Sequence, residues 1–247
     1  GDYYVNDAFS VCHRKHSSIV AFPRILKSCV GRTMERELNA LEKIKTEKCL
    51  FILGGAKAED NLLLMVRRKV VTCGIFGQLC LIAKGNKLGA QKEFLRKELG
   101  IIPKLKEVIG GIRTPMDLAV EVKGRRKELR IDEFPSKYKV YDIGERTQEM
   151  YVDLIKSSER IFMKGTAGYC EDRKFCKGTF SLLQAIAKSR AFSVLSGGHL
   201  NSALRKSGIN KKRFDYVSLS GGAAVWYLAG RKLPGIEALR RVQLLRH

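Results

Sequence analysis

Three short apolar segments of this sequence each lead into a turn that contains a pair of glycines. They are Cys49–Leu53 before Gly54 and Gly55, residues 191–195 before Gly197 and Gly198, and residues 216–219 before Ser220, Gly221 and Gly222. Glycine adopts positive φ without strain and lets a ligand approach the backbone. A helix that follows such a turn presents unpaired N–H groups that attract phosphate. One such turn would indicate little, but the repetition favours a site for a phosphorylated ligand.

Lys57 follows the first glycine pair, at the start of a predicted helix. A cation at that position meets the positive end of the helix dipole, so a purely structural lysine gains little there. A lysine that holds a transferring phosphoryl group gains a partner for its charge. We therefore predict that Lys57 is catalytic. The Walker A pattern Gly-x-x-x-x-Gly-Lys-Ser/Thr does not occur, which excludes P-loop ATPases as a close match.

The elements that must position these turns alternate between strand and helix. A weaker fourth copy runs from residues 160–163 into Lys164, and a helix is predicted from Lys57 to about Val70. This alternation predicts an α/β fold, a Rossmann-like parallel sheet with helices on both faces in three α/β/α layers. The turns then lie at the carboxyl ends of parallel strands, where open sheets bind ligands. Residues 32–48 have helical apolar spacing and predict a long amphipathic helix.

The chain of 247 residues carries 47 Lys and Arg against 25 Asp and Glu, a formal net charge of +22. Such an excess attracts polyanions. The basic clusters are short and lack interleaved aromatic residues, so we expect solvated surface and no nucleic-acid site. Attraction of anionic substrates fits the charge equally well. No apolar run approaches the roughly 18 residues that suggest a membrane span, and we expect a cytoplasmic protein with no membrane partner.

The seven cysteines lie at unrelated spacings, and none forms a Cys-x-x-Cys pair. We therefore expect reduced thiols and no zinc or thioredoxin-type site. His13 and His16 could share a helix face, but the absence of acidic or thiol partners nearby argues against a metal site there.

Five blocks of the sequence resemble phosphoglycerate kinases, with a lean toward archaeal members. They are residues 5–18, 52–57, 142–147, 217–223 and 233–239. The blocks stand in family order and span nearly the whole chain, which is more specific than any single motif. The resemblance covers the end of the family's N-terminal domain and its whole C-terminal, nucleotide-binding domain.

The resemblance implies reversible phosphoryl transfer between 1,3-bisphosphoglycerate with ADP and 3-phosphoglycerate with ATP, as in glycolysis and gluconeogenesis, with Mg2+ bound alongside ATP or ADP. It assigns phosphoryl stabilisation to Lys57 and contact with the phosphate of 3-phosphoglycerate to Arg14. It also implies nucleotide-binding roles for Gly54, Gly55, Gly74, Glu171 (at the ribose hydroxyls), Gly197, Gly198, Ser220, Gly221 and Gly222. The metal ligands stay open.

The resemblance also divides the chain. Residues 1–31 would be a remnant of the N-terminal substrate domain, and residues 32–48 the helix that joins the domains and closes the cleft by a hinge motion. Residues 49–232 would form the nucleotide-binding domain. Residues 233–247 would return to the N-terminal domain, so without it we expect exposed apolar surface from 233 to 245 and either self-association or a missing partner domain.

Three positions depart from the family pattern. Lys164 replaces the asparagine of an Asn-Gly-Pro turn, and Asn61 stands where many members have a second phosphate-contacting lysine. His199 stands where bacterial and eukaryotic members carry a metal-binding aspartate. Lys164 adds a positive charge near the phosphates and could either help or replace metal neutralisation.

Two functions are open from the sequence. The chain is either part of an active phosphoglycerate kinase or a stand-alone nucleotide-binding protein without turnover, attracted to polyanions. Most of the family's phosphoglycerate pocket has no counterpart here apart from Arg14 and the neighbouring histidines. Because transfer needs both substrates held together, we expect the isolated chain to be inactive.

Overall fold

The computed structural model describes residues 1–45, 47–67 and 69–244. The strands are β1 Tyr3–Asn6, β2 Lys27–Val30, β3 Cys49–Leu53, β4 Val70–Thr72, β5 Asp117–Val122, β6 Arg125–Arg130, β7 Val140–Ile143, β8 Arg160–Lys164, β9 Phe192–Ser196 and β10 Tyr216–Ser218. The α-helices are α1 Ser17–Val20, α2 Arg32–Ile44, α3 Ala58–Leu62, α4 Gly74–Ala83, α5 Ala90–Phe94, α6 Ile102–Val108, α7 Glu145–Lys156, α8 Lys177–Lys188, α9 Gly198–Ser207, α10 Gly222–Leu228 and α11 Pro234–Leu244.

A five-stranded parallel sheet in the order β10–β9–β8–β3–β4 forms the middle layer. All five residues of β3 are buried, as expected of a parallel strand covered on both faces. Because side chains alternate along a strand, Phe51 and Leu53 pack in a core with residues of α2, α4 and α10, whereas Leu50 and Ile52 pack with residues of α7, α8 and α9. The predicted three-layer α/β/α fold is confirmed.

The strand order reverses between β3 and β8. From β3 the chain moves outward to β4, and from β8 it moves outward in the other direction to β9 and β10. In doubly wound sheets, ligands bind in the crevice at the carboxyl ends of the two strands where the order reverses. Leu53 and Lys164 are paired residues at the ends of these two strands, so the turns that follow them flank this crevice.

A three-stranded antiparallel sheet in the order β6–β5–β7 was not predicted from the sequence. The turn between β5 and β6 has positive φ at both central residues, Lys123 (49°) and Gly124 (74°), as tight two-residue hairpin turns require. The inner face of this sheet buries Leu118, Val120 and Val140 with Leu81 of α4. The small sheet therefore packs on the helix that follows β4.

Two predicted helix boundaries differ from the structure. The helix predicted to reach about Val70 is only the five residues of α3, and Val70–Thr72 is an edge strand of the central sheet. The β-branched residues at 70–72 favour strand over helix. The helix predicted over 32–48 ends at Ile44. Position 46 of that helix, position 68 before β4, and positions 245–247 of the predicted closing segment lie outside the described residues.

The C-terminal helix packs on the N-terminal segment. The Gly235 N–H donates to the Cys12 carbonyl at 3.0 Å, and Ile19 lies directly against Gly235. Leu233 and Leu239 are only 2% and 7% exposed. The expectation that this segment exposes its apolar residues is therefore wrong for these two leucines, because residues of the chain itself cover them. None of the helices in the described part of the chain has the length and apolarity needed to cross a membrane.

The expectation of seven reduced cysteines is wrong for one pair. Cys170 and Cys176 form a disulfide, with their Cα atoms 4.4 Å apart. The chain folds back on itself through a short turn at Arg173–Phe175, which brings together two cysteines whose spacing matched no known motif. Cys12, Cys29, Cys49, Cys73 and Cys80 are free thiols.

A buried ion pair joins the small sheet to the helical layer. Arg126 on β6 donates to the Asp142 carboxylate on β7 at 2.8 Å, and the same carboxylate accepts from the Gly178 N–H at the start of α8 at 2.8 Å. Burial raises the pKa of Asp142 to about 6, although the Arg126 guanidinium acts in the opposite direction. Arg126 also donates to Glu128 at 2.8 Å. Removal of either side chain would therefore leave the other buried without its opposite charge.

We expect Arg126→Ala to lower the free energy of unfolding by about 3–5 kcal/mol, because it leaves the Asp142 carboxyl buried without its cation. Urea denaturation followed by circular dichroism measures the change. The matched control is Arg130→Ala, at the end of the same strand as Arg126. It removes an exposed ion pair with Asp132 and should change stability little. Equal losses in the two variants would contradict the structural role of the buried pair.

Candidate functional site

Four turns lie side by side at the carboxyl edge of the central sheet. They follow β3, β8, β9 and β10, and backbone hydrogen bonds connect each to its neighbour. The Gly54 N–H donates to the Lys164 carbonyl at 2.7 Å, the Gly165 N–H to Ser196 at 3.3 Å, and the Gly197 N–H to Ser218 at 3.1 Å. The repeated strand–turn–helix pattern therefore produces one continuous row of turns.

The glycines in this row serve two different purposes. Added Cβ atoms at Gly54 and Gly74 would lie only 2.6 and 2.5 Å from the Thr166 carbonyl oxygen. These two glycines are required by the contact between protein turns, and Gly74 also has a φ of +57°. An added Cβ at Gly197 or Gly198 would meet no atom within 4 Å. A side chain at this second pair would project into open space that a ligand could enter.

A cleft of about 520 Å³ opens beside the crevice between β3 and β8. Its walls come from the turn after β3, the first half of α4, helix α5, the start of β7, the loop after β8 and one face of α9. Of the predicted residues, Gly55, Gly74 and Glu171 line it. Gly54 lies beneath the wall, where its carbonyl accepts from the Asn61 side-chain amide at 2.9 Å.

Glu171 stands at the rim of the cleft in a fixed loop. Its carboxylate accepts from Lys206 of α9 at 3.2 Å, and Lys206 also donates to the Cys170 carbonyl at 2.9 Å. The disulfide of Cys170 closes the same loop. An acidic side chain at the mouth of a cleft can accept hydrogen bonds from ligand hydroxyl groups.

The remaining predicted residues form a second group beyond the cleft. Gly197 and Gly198 begin α9, whose His199 and Ser202 line the cleft. Ser220, Gly221 and Gly222 begin α10, where an added Cβ at Gly222 would lie 3.2 Å from His13 Nε2. Lys57 is exposed before α3, and Arg14 is exposed in the N-terminal segment. In the described part of the chain Lys57 forms no ion pair.

Lys164 ends β8 with its side chain buried beneath this second group. Its Nζ atom donates to Asn61 Oδ1 at 2.8 Å and lies 3.7 Å from the Asp60 carboxylate. Burial lowers the pKa of Lys164 to about 8, the nearby charge of Lys57 acts in the same direction, and Asp60 opposes the shift. The Lys164 Cε lies 3.7 Å from where a Cβ of Gly221 would be. Lys164 and Asn61, each noted as a departure from the family pattern, are thus direct partners.

His13 belongs to the N-terminal segment but lies against the turn of α10. Its Nδ1 atom is buried with no hydrogen-bond partner among the described residues, and its ring centroid lies 5.8 Å from that of Trp226. Burial lowers the pKa of His13, as do the nearby charges of Arg14 and Lys57. A neutral imidazole packed on α10 fits this position, and His13 brings Arg14 to the same side of the row.

Several cleft residues were missed by the sequence reasoning. Gln78, Gln91, Val140 and Tyr141 come from α4, α5 and β7. None follows a glycine turn, and the small antiparallel sheet that carries two of them was not predicted. No group of three or more His, Cys, Asp or Glu side chains within residues 1–45, 47–67 and 69–240 could hold a metal ion.

Comparisons with known proteins agree with this geometry. The sequence model of the phosphoglycerate kinase family matches residues 1–231. The chain is 39% identical to a phosphoglycerate kinase from Methanothermus fervidus, with 98% of this chain and 63% of the relative covered, and 37% identical to one from Methanococcus maripaludis, with 97% and 62% covered.

Solved structures give the same result. A crystal structure of phosphoglycerate kinase from Pyrococcus horikoshii OT3 superimposes with a TM-score of 0.90 at 35% identity, over 98% of this chain and 65% of that one. A phosphoglycerate kinase from Coxiella burnetii gives 0.82 at 28% identity, over 97% and 66%. The chain thus spans about 63% of the length of the curated relatives it matches. It belongs to the phosphoglycerate kinase family.

Proposed function

We propose that this chain supplies the nucleotide site of a phosphoglycerate kinase. The reaction is phosphoryl transfer between 1,3-bisphosphoglycerate with ADP and 3-phosphoglycerate with ATP. The observation that carries the proposal is the placement of a cleft for a small organic ligand beside a row of glycine turns that holds two lysines, Lys57 and Lys164. The family assignment supports the choice of substrates.

The nucleotide would lie along the row of turns. Its base and ribose fit the cleft, with the ribose hydroxyls toward Glu171. Its phosphates point toward the open space at Gly197 and Gly198 and onward to the turn of Ser220, Gly221 and Gly222, where backbone N–H groups and the adjacent helix dipoles favour negative charge. Arg14 lies on the side of the row where 3-phosphoglycerate would bind.

Transfer of a phosphoryl group depends on positioning and on neutralising the charge that spreads over its oxygens. Lys57 is exposed at the edge of the site, with no ion pair among the residues that the structure describes, and is our candidate for stabilising the transferring phosphoryl group. Lys164 contributes a second, buried positive charge under the same turns. Mg2+ bound alongside ATP or ADP is inferred from the family, and it would neutralise part of the phosphate charge.

The remaining part of the relatives would complete the substrate site. The parallel pair β1–β2 forms its own two-stranded sheet, with Tyr3 69% and Val5 56% exposed. An isolated two-stranded sheet is marginal in water, and parallel strands are normally covered on both faces. This supports residues 1–31 as part of a larger substrate domain, α2 as the connection to the nucleotide-binding domain of residues 49–232, and the segment from 233 as its return. Cytoplasmic glycolytic use fits this assignment.

The first test is calorimetric titration of ADP with magnesium. We expect the chain to bind ADP in the micromolar range and Ser202→Trp to weaken binding at least about ten-fold, because the indole would occupy the cleft. The matched control is Ser181→Trp, a half-buried helix serine of α8 outside the cleft, which should bind normally. Normal ADP binding by Ser202→Trp would contradict the proposed site.

The second test addresses transfer. In a protein that combines this chain with the part of a phosphoglycerate kinase it does not match, we expect Lys57→Ala to lower kcat about 10²–10³-fold with little change in ADP affinity. Lys188→Ala, an exposed lysine at the end of α8, is the control. ATP formation from 1,3-bisphosphoglycerate is the assay. Nucleotide binding without any transfer in the unmodified combined protein would instead favour a binding protein without turnover.

The third test measures how the ionisation of Lys164 affects the free energy of unfolding. Its folded-state pKa of about 8 lies below the ordinary lysine value of 10.5, so the unfolded chain binds more protons between these values and stability rises with pH. From pH 7 to 9.5 this lysine should add about 2 kcal/mol to the free energy of unfolding. Comparison of the unmodified chain with Lys164→Met isolates this gain. Parallel pH profiles in the two proteins would contradict the burial of a charged lysine.

A further inference from the structure

Two glutamines lie in the wall of the cleft, with their side chains almost fully buried. Gln78 of α4 is 4% exposed and Gln91 of α5 is 1% exposed, and both line the cleft. Neither side chain has a part in the proposed transfer step. Burying a side-chain amide costs free energy unless its donors and acceptors form new hydrogen bonds, because the amide loses its hydrogen bonds to water.

A chain of hydrogen bonds fixes which way each amide points. The Val140 backbone N–H can only donate, and it donates to Gln91 Oε1 at 2.8 Å. The Gln91 amide nitrogen therefore points the other way and donates to Gln78 Oε1 at 2.7 Å. With its oxygen occupied in this way, Gln78 has its amide nitrogen at the free end of the relay. The orientation of both amides thus follows from a backbone donor whose identity is unambiguous.

The free amide nitrogen of Gln78 faces the cleft. It makes no hydrogen bond to any of the described residues, yet it is not among their fully enclosed unpartnered atoms, which are His13 Nδ1 and Arg67 Nε. It therefore reaches open space, and the open space that Gln78 borders is the cleft. Apolar surface from Ile75, Val140 and Tyr141 surrounds the same space. This combination suits a flat heteroaromatic ring with a hydrogen-bond acceptor at its edge.

We propose that Gln78 recognises the base of the bound nucleotide by donating from Nε2 to a ring nitrogen of a purine. This inference rests on the proposed nucleotide site. It adds to that proposal the wall of the cleft that the base would contact and the protein atom that would donate to the base. The relay from Val140 through Gln91 makes Gln78 a donor at that wall and not an acceptor. A base that presents an N–H or NH2 group there would meet another donor and would be disfavoured.

The test compares ADP with its 1-deaza, 3-deaza and 7-deaza analogues, each of which replaces one ring nitrogen by C–H. Magnesium is present, and affinities are measured by calorimetry. For the unmodified chain we expect one analogue to bind about three- to ten-fold more weakly than ADP, the loss of one neutral hydrogen bond. In Gln78→Leu, ADP and that analogue should bind equally, because the donor they differed by is gone.

A second variant keeps the test informative if Gln78→Leu does not fold. Gln78→Glu keeps an oxygen that can accept from Gln91, so the relay is retained, but it replaces the free donor by an acceptor. Its added negative charge weakens ADP and the analogues alike, so the ratio of their affinities reports the base contact alone. We expect that ratio to fall to one or below, because the new acceptor repels the ring nitrogen of ADP but not the C–H of the analogue. Gln184→Glu, on an exposed position of α8, is the charge-matched control and should keep the unmodified ratio.

The outcomes distinguish the role of Gln78 from the existence of the nucleotide site. Equal binding of ADP and all three analogues by the unmodified chain would overturn the role of Gln78, as would discrimination that survives in both Gln78 variants. In either case ADP binding itself would leave the nucleotide site standing. Absence of ADP binding to the unmodified chain would overturn the nucleotide site and this inference with it.

Discussion

The close approach of three backbone turns around the Thr166 carbonyl determines the position of everything else in the site. This oxygen accepts from the Gly55 N–H at 3.0 Å and leaves no room for a Cβ at Gly54 or Gly74. The ends of β3, β4 and β8 are therefore drawn together at the point where strand order reverses. The cleft opens on one side of this contact and the lysines lie on the other. A side chain at either glycine would separate the strands that the two halves of the site share.

Burial of Lys164 follows from the same contact. Once the turns after β3 and β8 are packed together, the side chain at the end of β8 has no path to solvent and must find partners inside. Asn61 and Asp60, both in α3, provide them. In the sequence, Asn61 and Lys164 are two separate departures from the family pattern. The structure places their side chains in direct contact, so a substitution at one changes the surroundings of the other.

The sequence predicted those parts of the fold that depend on local pattern. Four strands of the central sheet, the glycine turns after them and the amphipathic helix α2 all have a periodicity or composition that can be read within about ten residues. The helix predicted to reach about Val70 runs into the first residue of β4, because three β-branched residues after a short helix carry too little local signal to mark a separate strand. Strand order is set by packing between distant segments, and no local pattern encodes it.

The same limit explains which site residues were predicted. Glu171, Lys57 and the glycines lie next to recognisable turns and could be assigned from the family pattern. The glutamine relay joins α4, α5 and β7, which meet only after the small antiparallel sheet has packed on α4. The Cys170–Cys176 disulfide likewise depends on a turn with no sequence signature. Each of these features forms only where separate parts of the chain come into contact, so no local stretch of sequence predicts it.

Helix α2 connects the N-terminal segment to the end of β10 through polar contacts at two points. At its start, the Asp7 carboxylate accepts from the Met34 N–H at 2.8 Å, and this bond lowers the pKa of Asp7. One turn later, the buried Glu37 accepts from the Ser218 hydroxyl at the end of β10. Glu37 is only 5% exposed, so water cannot replace its partner if that bond is broken. The helix therefore cannot shift relative to β10 without breaking a buried bond, and Asp7 and Glu37 fix the N-terminal segment and the end of β10 to the same helix.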